Sequence, residues 1–148
     1  VGNHVNAEHN IALDIVEACS RVIDRKTAVK GVRKLCLYFG GGLYYIPVKK
    51  KDGTSLREIY EILRESVGNR ATEIIISKFM SLYGGFQVYI PFERTAFLDV
   101  IAEEIYYRNM VENVPMREMC RDYLMCFTQV YKLWKKGQKI KLNREMKK

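Results

Sequence analysis

Histidine is nearly missing from this chain: among 148 residues only His4 and His9 occur, both in a polar N-terminal stretch. That removes the commonest general base, and with it any Ser/His/Asp or Cys/His arrangement for nucleophilic catalysis. Cysteines are few and scattered, at Cys19, Cys36, Cys120 and Cys126. No CxxC pair exists and the histidines stand far from any cysteine, so neither a metal site nor a disulfide framework is expected. The thiols read as buried and reduced, in a cytoplasmic protein. No apolar run approaches the roughly 20 residues of a membrane span, and no signal-peptide pattern is visible. Carboxylates are dispersed; the adjacent Glu103 and Glu104 would face different sides of a helix, because only spacings of three or four share a face. The glycine runs at 40–42 and 84–85 follow helical segments and precede strand-like ones. Phosphate-cradling loops have the opposite order, strand then loop then helix. Neither catalysis nor a cofactor is expected.

What is present is apolar and basic. Hydrophobic residues make up 48% and charged residues 28%, a globular profile rather than a disordered one. The length suits one compact domain or two small ones. Net charge is +8, and its placement is uneven: residues 135–148 carry seven Lys/Arg against the single acid Glu145, leaving +2 for the other 134 residues. A nearly neutral body with a basic end favours polyanion binding; the bland alternative is a solvated, frayed tail.

Periodicity divides the chain into short helices punctuated by glycine. From Asn10, Ile11, Ile15, Ala18 and Val22 fall on one side at helical spacing, with Asp14, Glu17 and Arg21 opposite, predicting a helix over 11–25. Thr27 is the expected cap of a second, over 28–39, with Val29, Val32, Leu35, Cys36 and Phe39 apolar. After three glycines, LYYIPV reads as a strand over 43–48, with Pro47 near its end as on an edge. Lys49, Lys50 and Lys51 with Asp52-Gly53 make a basic turn, a solvated loop or a phosphate clamp with equal claim. Thr54 or Ser55 caps a third helix (Ile59, Ile62, Leu63 and Val67 inward), Gly68-Asn69 stops it, and a fourth covers about 71–83. The strand FQVYIPF follows over 86–92. FGGGLYYIP at 39–47 and YGGFQVYIP at 83–91 match at Gly40/Gly84, Gly41/Gly85, Tyr45/Tyr89, Ile46/Ile90 and Pro47/Pro91, and Lys34/Lys78 keep the same offset of 44. This is a duplicated helix–helix–GG–strand module. Two copies are too few for a solenoid and fit a pseudo-two-fold pair instead.

A further helix is expected from Thr95 or Ala96 to about Val111, with Phe97, Leu98, Ile101, Ile105 and Tyr106 apolar, until Asn113-Val114-Pro115 breaks it. The stretch 116–136 then reads as two short helices joined by a tight corner, 116–123 and 127–137. Cys120 is the small contact residue, Met119 and Tyr123 form the first helix's apolar face, and Val130 with Leu133 form the second's. Thr128, Gln129, Tyr131, Lys132 and Lys135 point outward, a polar and basic face suited to base edges and phosphates. In the basic end that follows, Lys135, Lys136, Lys139 and Lys141 are the phosphate candidates. Trp134 reads as a core anchor. An ordinary helical hairpin is the alternative for this stretch. With Leu124 where such a corner ordinarily holds glycine, the expectation is a tilted corner.

At YGGFQVYIP the chain resembles the Mor transcription activator family of phages and prophages, through Gly84, Gly85, Gln87, Val88, Tyr89, Ile90 and Pro91. Ile105-Tyr106, Glu118, Tyr123, Phe127 and Val130-Tyr131-Lys132 fall where that family has its helix-turn-helix signature, so the resemblance covers about 72–140. The resemblance implies a strand that pairs with its twin across a dimer axis and a second helix that reads the major groove. It also implies a GG loop and ribbon, with Gly84, Gly85 and Gln87, lying near the DNA backbone. Members activate promoters by touching DNA and RNA polymerase together. This chain departs from the pattern in having two strand modules and one helix-turn-helix; the expectation is that strands 43–48 and 86–92 pair within one chain, with domain-swapped pairing between chains as the rival.

The expected fold is mostly α with a small antiparallel β-ribbon: an N-terminal helical bundle plus a C-terminal helix-turn-helix. Residues 1–92 form a dimerisation-like domain and 93–148 a DNA-binding domain with a basic tail. The expected function is sequence-specific binding of double-stranded DNA as a phage- or prophage-type activator in the bacterial cytoplasm. RNA polymerase and a second copy of the chain are further partners, and no membrane is involved. The competing class is a protein-interaction module whose degenerate corner at Leu124 marks a helix-turn-helix that does not read DNA.

Overall fold

The computed structural model describes residues 10–49 and 54–147, without the side chains of Thr54 and Ser55. His4, His9 and most of the basic turn at 49–53 lie outside the described residues. The chain forms two compact units that divide between Ala96 and Phe97. It is mostly helical, with a two-stranded antiparallel sheet.

The first unit contains α1 (Ile11–Cys19), α2 (Arg25–Phe39), β1 (Gly42–Tyr45), α3 (Thr54–Tyr83), β2 (Gln87–Ile90) and the short α4 (Glu93–Ala96). The Asn10 side chain caps α1, accepting from the Ala12 and Leu13 amides, while its Nδ2 donates to the Ala96 carbonyl at 2.8 Å. α1 stops at Cys19, short of the expected 25, so Val22 falls beyond the helix and is exposed. The buried face is Ala12, Ile15, Val16 and Cys19 instead. The cap of α2 is Asp24 rather than Thr27; Thr27 donates both its amide and its hydroxyl to that carboxylate, which holds the Asp24 carboxyl below the usual range. An acceptor side chain ahead of the first turn satisfies amides that no helical carbonyl can reach.

α3 breaks at Gly68 (φ +83°, ψ 173°) into two arms that correspond to α1 and α2 at the offset of 44. Both α1 and α2 pack on α3. Their core is Val32, Leu35, Leu63, Ile75, Ile76 and Phe79, all nearly solvent-free. Full burial of such a side chain contributes roughly 1.5–3 kcal/mol relative to exposure.

The ribbon closes this bundle with a register that obeys the same offset. β1 and β2 pair antiparallel as Gly42↔Ile90, Leu43↔Tyr89, Tyr44↔Val88 and Tyr45↔Gln87. The Gly41 amide donates to the Ile90 carbonyl, and the Gly85 amide to the Ile46 carbonyl, each at 2.7 Å. The two bonds are images of one another, and the central pair, Tyr44 and Val88, are themselves equivalent residues. A pseudo-two-fold axis therefore passes through the middle of the ribbon. Gly41 and Gly85 both take positive φ, +91° and +87°, to turn from helix into strand, a conformation glycine adopts without a Cβ clash. Alternation along the strands leaves Leu43, Tyr45, Gln87 and Tyr89 exposed on one face and sends Ile46 and Ile90 into the core.

The second unit is three helices: α5 (Leu98–Met110), α6 (Met116–Tyr123) and α7 (Phe127–Met146). Their core is Ile101, Ala102 and Ile105 of α5, Met119 of α6, Met125 of the corner, and Val130 and Leu133 of α7, with Val114, Cys120, Tyr123 and Trp134 packed against it. Pro115 stands at the cap of α6, where its missing N–H is harmless. α7 continues well past the expected end at 137, so the basic end is helical as far as Met146 rather than a frayed tail. Gly137 permits this: a Cβ there would lie 2.2 Å from the Ala102 carbonyl oxygen, so α7 crosses α5 almost backbone to backbone.

Candidate nucleic-acid interface

The corner between α6 and α7 keeps the left-handed geometry that glycine ordinarily provides, although it holds leucine. Leu124 sits at φ +54°, ψ +49°. The Met125 amide donates back to the Cys120 carbonyl at 3.0 Å, and the Leu124 amide to the Arg121 carbonyl at 3.4 Å. These bonds, six-to-one and five-to-two, define a Schellman motif, with Met125 supplying its customary apolar contact to the core. The expected tilt is not required: the turn is made at the cost of about 1–2 kcal/mol of left-handed strain.

α7 begins immediately beyond. Cys126 takes an extended conformation as its cap, and Gln129 Oε1 accepts the Cys126 amide at 3.4 Å, the return half of a capping box. Gln129 thus turns its carbonyl back onto the chain and leaves its NH2 for an external acceptor. Thr128, Lys132, Lys135 and Lys139 are all exposed. Their spacings of four, three and four place them in one stripe roughly 16 Å long. Tyr131 flanks the stripe within an aromatic row. Its ring lies nearly parallel to Phe127 (centroids 6.3 Å apart) and to Trp134 (6.2 Å), and Lys135 Nζ sits 5.0 Å above it.

The remaining lysines do not join the stripe. Lys136 Nζ pairs with Asp99 Oδ1 at 3.0 Å, and so is partly committed to α5. Lys141, thirteen residues after Thr128, points roughly 140° away from it. Its Nζ lies over the Tyr106 ring at 5.7 Å, beside Arg144, which pairs with Glu103. Gly84, Gly85 and Gln87 belong to the first unit. The backbone there already demands glycine twice, since a Cβ on Gly84 would lie 2.5 Å from the Met80 carbonyl oxygen and Gly85 has positive φ. Gln87 is exposed on the outer ribbon face opposite Tyr45.

Hydrogen bonds tie α7 and α6 to α5 at defined points. Trp134 Nε1 donates to Asn109 Oδ1 at 3.1 Å, and Asn109 Nδ2 to the Val114 carbonyl at 3.0 Å. The Tyr123 hydroxyl donates to Glu104 at 3.0 Å, and Arg108 bonds Asp122 at 2.7 Å with its guanidinium over the Tyr123 ring. Those contacts, the Asp122 hydrogen bond foremost, raise the Arg108 pKa further above its already high value. Two further cations were not singled out from the sequence: Arg117 and Arg121, both exposed on α6. Their spacing of four residues was the available signal, since it puts both on one helix face.

The sequence model of the Mor transcription activator family matches residues 54–148. Neither a curated protein nor a solved structure matches the chain significantly. Among the described residues no helix is long and apolar enough to cross a membrane. The match runs from α3 through the second GG–strand motif to the end of α7, and leaves the first copy of the repeated module outside it. With well over half of its residues so matched, and with the family's glycine–strand motif and two-helix unit both in place, the chain belongs to the Mor transcription activator family.

Proposed function

We propose that this protein is a sequence-specific double-stranded DNA-binding activator of phage or prophage type. The second unit is the DNA-binding part and the first a dimerisation-like bundle of two tandem modules, close to a division at 1–92 and 93–148. α7 enters the major groove with Thr128, Gln129, Tyr131 and Lys132 toward base edges. Lys135 and Lys139 hold phosphates, with Lys136 joining them when its pairing to Asp99 exchanges. Lys141 contributes mainly to the field, since it faces α5. Gly84, Gly85 and Gln87 approach the DNA backbone, and RNA polymerase is the protein partner at the promoter, in the bacterial cytoplasm. The observation that carries the reading is the exposed Thr128–Lys132–Lys135–Lys139 stripe, which starts at the first turn of the second helix of a helix-turn-helix. The rival reading as a non-DNA partner module leaned on a degenerate corner, and the Leu124 corner has lost none of its geometry.

Gln129 sharpens the expectation. While its Oε1 serves the cap, only the NH2 can meet a base, which favours guanine or thymine acceptors over the two-point contact adenine requires. The test is binding to cognate and random duplexes across a salt series. Lys132→Ala weakens cognate binding selectively. Lys139→Ala weakens all sites alike and lowers the salt slope by about one unit. Equal effects of Lys132→Ala on cognate and random DNA would refute the base-edge assignment.

A further inference from the structure

Resting on the DNA-binding reading above, we infer that the chain acts as a closed pseudo-dimer: a monomer that reads one asymmetric half-site of duplex DNA with a single recognition helix. Two-fold regulators place two recognition helices one helical turn apart and so read palindromes. In this chain the two-fold relation is used up internally. The ribbon register maps onto itself at the offset of 44, and both glycine-to-carbonyl bonds across the axis are made within the chain.

The modules fit each other better than either fits itself. Gly31 and Ile75 are equivalent positions, and they meet: a Cβ on Gly31 would lie 2.5 Å from Ile75 Cδ1. The side chain one module lacks makes room for the side chain the other has. Tyr44 and Val88 repeat the large-against-small match on the axis itself. Two copies of the first module would set Gly31 against Gly31 and leave a void; two copies of the second would set Ile75 against Ile75 and collide. Voids and overpacking each carry a penalty in a close-packed core.

The connections explain why there is one recognition helix and not two. After β2 the chain passes through Pro91 and Phe92 into α4 and then the helix-turn-helix unit. At the equivalent point after β1, Pro47 and Val48 lead by residues 49–53 into α3, the start of the second module. The chain order after β1 thus continues into the second module, whereas after β2 it continues into the recognition unit. Among the described residues one helix-turn-helix therefore serves one complete bundle, and its lysine stripe faces a single stretch of groove.

The test uses the full chain, its mass in solution, and selection of preferred sites from a pool of random duplexes. The expected mass of the free protein is that of one chain, 17.3 kDa, with a one-to-one complex and a non-palindromic site within roughly one helical turn. Placing two copies of that site as an inverted repeat should raise apparent affinity only about twofold, the statistical factor, whereas two linked recognition helices gain on the order of 10² or more. A free protein of twice the chain mass, a palindromic selected site, or the larger gain overturns the inference while leaving DNA binding intact. Absence of binding to any duplex at low salt overturns it together with the DNA-binding reading.

Discussion

Leu124→Gly should stabilise the helix-turn-helix unit, although it deletes a large apolar side chain. Leucine at φ +54° carries about 1–2 kcal/mol of strain from its Cβ against the following carbonyl. Glycine removes that strain but adds conformational freedom to the unfolded chain, an opposing term of roughly 0.5–1 kcal/mol. The side chain is 81% exposed, so its removal gives up little burial. The balance is a gain of about 0.5–1 kcal/mol, worth several degrees of Tm in a small domain. Trp134, the chain's only tryptophan, belongs to this unit and reports its unfolding directly in a urea titration followed by fluorescence. Leu124→Ala is the control, since alanine keeps the Cβ and hence most of the strain while removing the rest of the side chain. If glycine and alanine have the same effect, or if glycine destabilises, strain at the corner is not what governs this position.

The opposite sign is expected at Gly137. Alanine is the better helix former by about 1 kcal/mol, but its Cβ would meet the Ala102 carbonyl at 2.2 Å, and a clash with backbone should destabilise by ~2 kcal/mol or more; a rise in the Trp134 midpoint for Gly137→Ala would contradict the close crossing. The first unit should lose stability in alkali. Burial pushes the Cys19 thiol up to about 11 and, with Glu93 adding to it, the Cys36 thiol up to about 12; burial and then Asp14 push the Tyr83 phenol up to about 12. Groups whose proton is held more tightly in the folded state contribute fully below their unfolded values and lose that contribution as pH rises through the folded ones. Thermal unfolding followed by circular dichroism should thus show a falling Tm from about pH 9 toward pH 12, and a flat profile across that window would count against these assignments. In the native protein at pH 8, a thiol-alkylating reagent should modify exposed Cys126 readily and spare Cys19 and Cys36, as mass mapping of the labelled sites would reveal; labelling of all three at one rate would mean the bundle opens globally.

How far local chemistry reaches in this chain can be seen residue by residue. The offset of 44 was legible because the turn from helix to strand needs glycine twice and the strand needs β-formers, and those demands are met by adjacent residues. Met119, Val130 and Leu133 were legible as core for a similar reason, since a 3.6-residue period declares which side of a helix is apolar. The expected outward direction of Thr128, Tyr131 and Lys132 follows from the same period, and all three are exposed.

What remained beyond the sequence depends on partners distant along the chain. Asp24 rather than Thr27 caps α2 because the chain turns at 20–24, and that turn is needed to pack α1 and α2 together on α3. Periodicity ended the last helix at 137, yet α7 runs to Met146 because Gly137 fits the Ala102 backbone and Glu103 waits for Arg144. That same crossing turns Lys141 toward α5 and ties Lys136 to Asp99, splitting four lysines that look alike in sequence. Leucine in a left-handed corner cannot be anticipated from propensity, which argues against it; the core contact of Met125 and the paired amides hold it there. The sequence by itself determined which elements exist, that one module occurs twice, and which helix faces are apolar, because each follows from periodicity and backbone preference over a few residues. The tertiary structure alone decided the register in which the two modules pair, the full length of α7, and which of its cations remain on the open face, because those depend on where strands and helices meet.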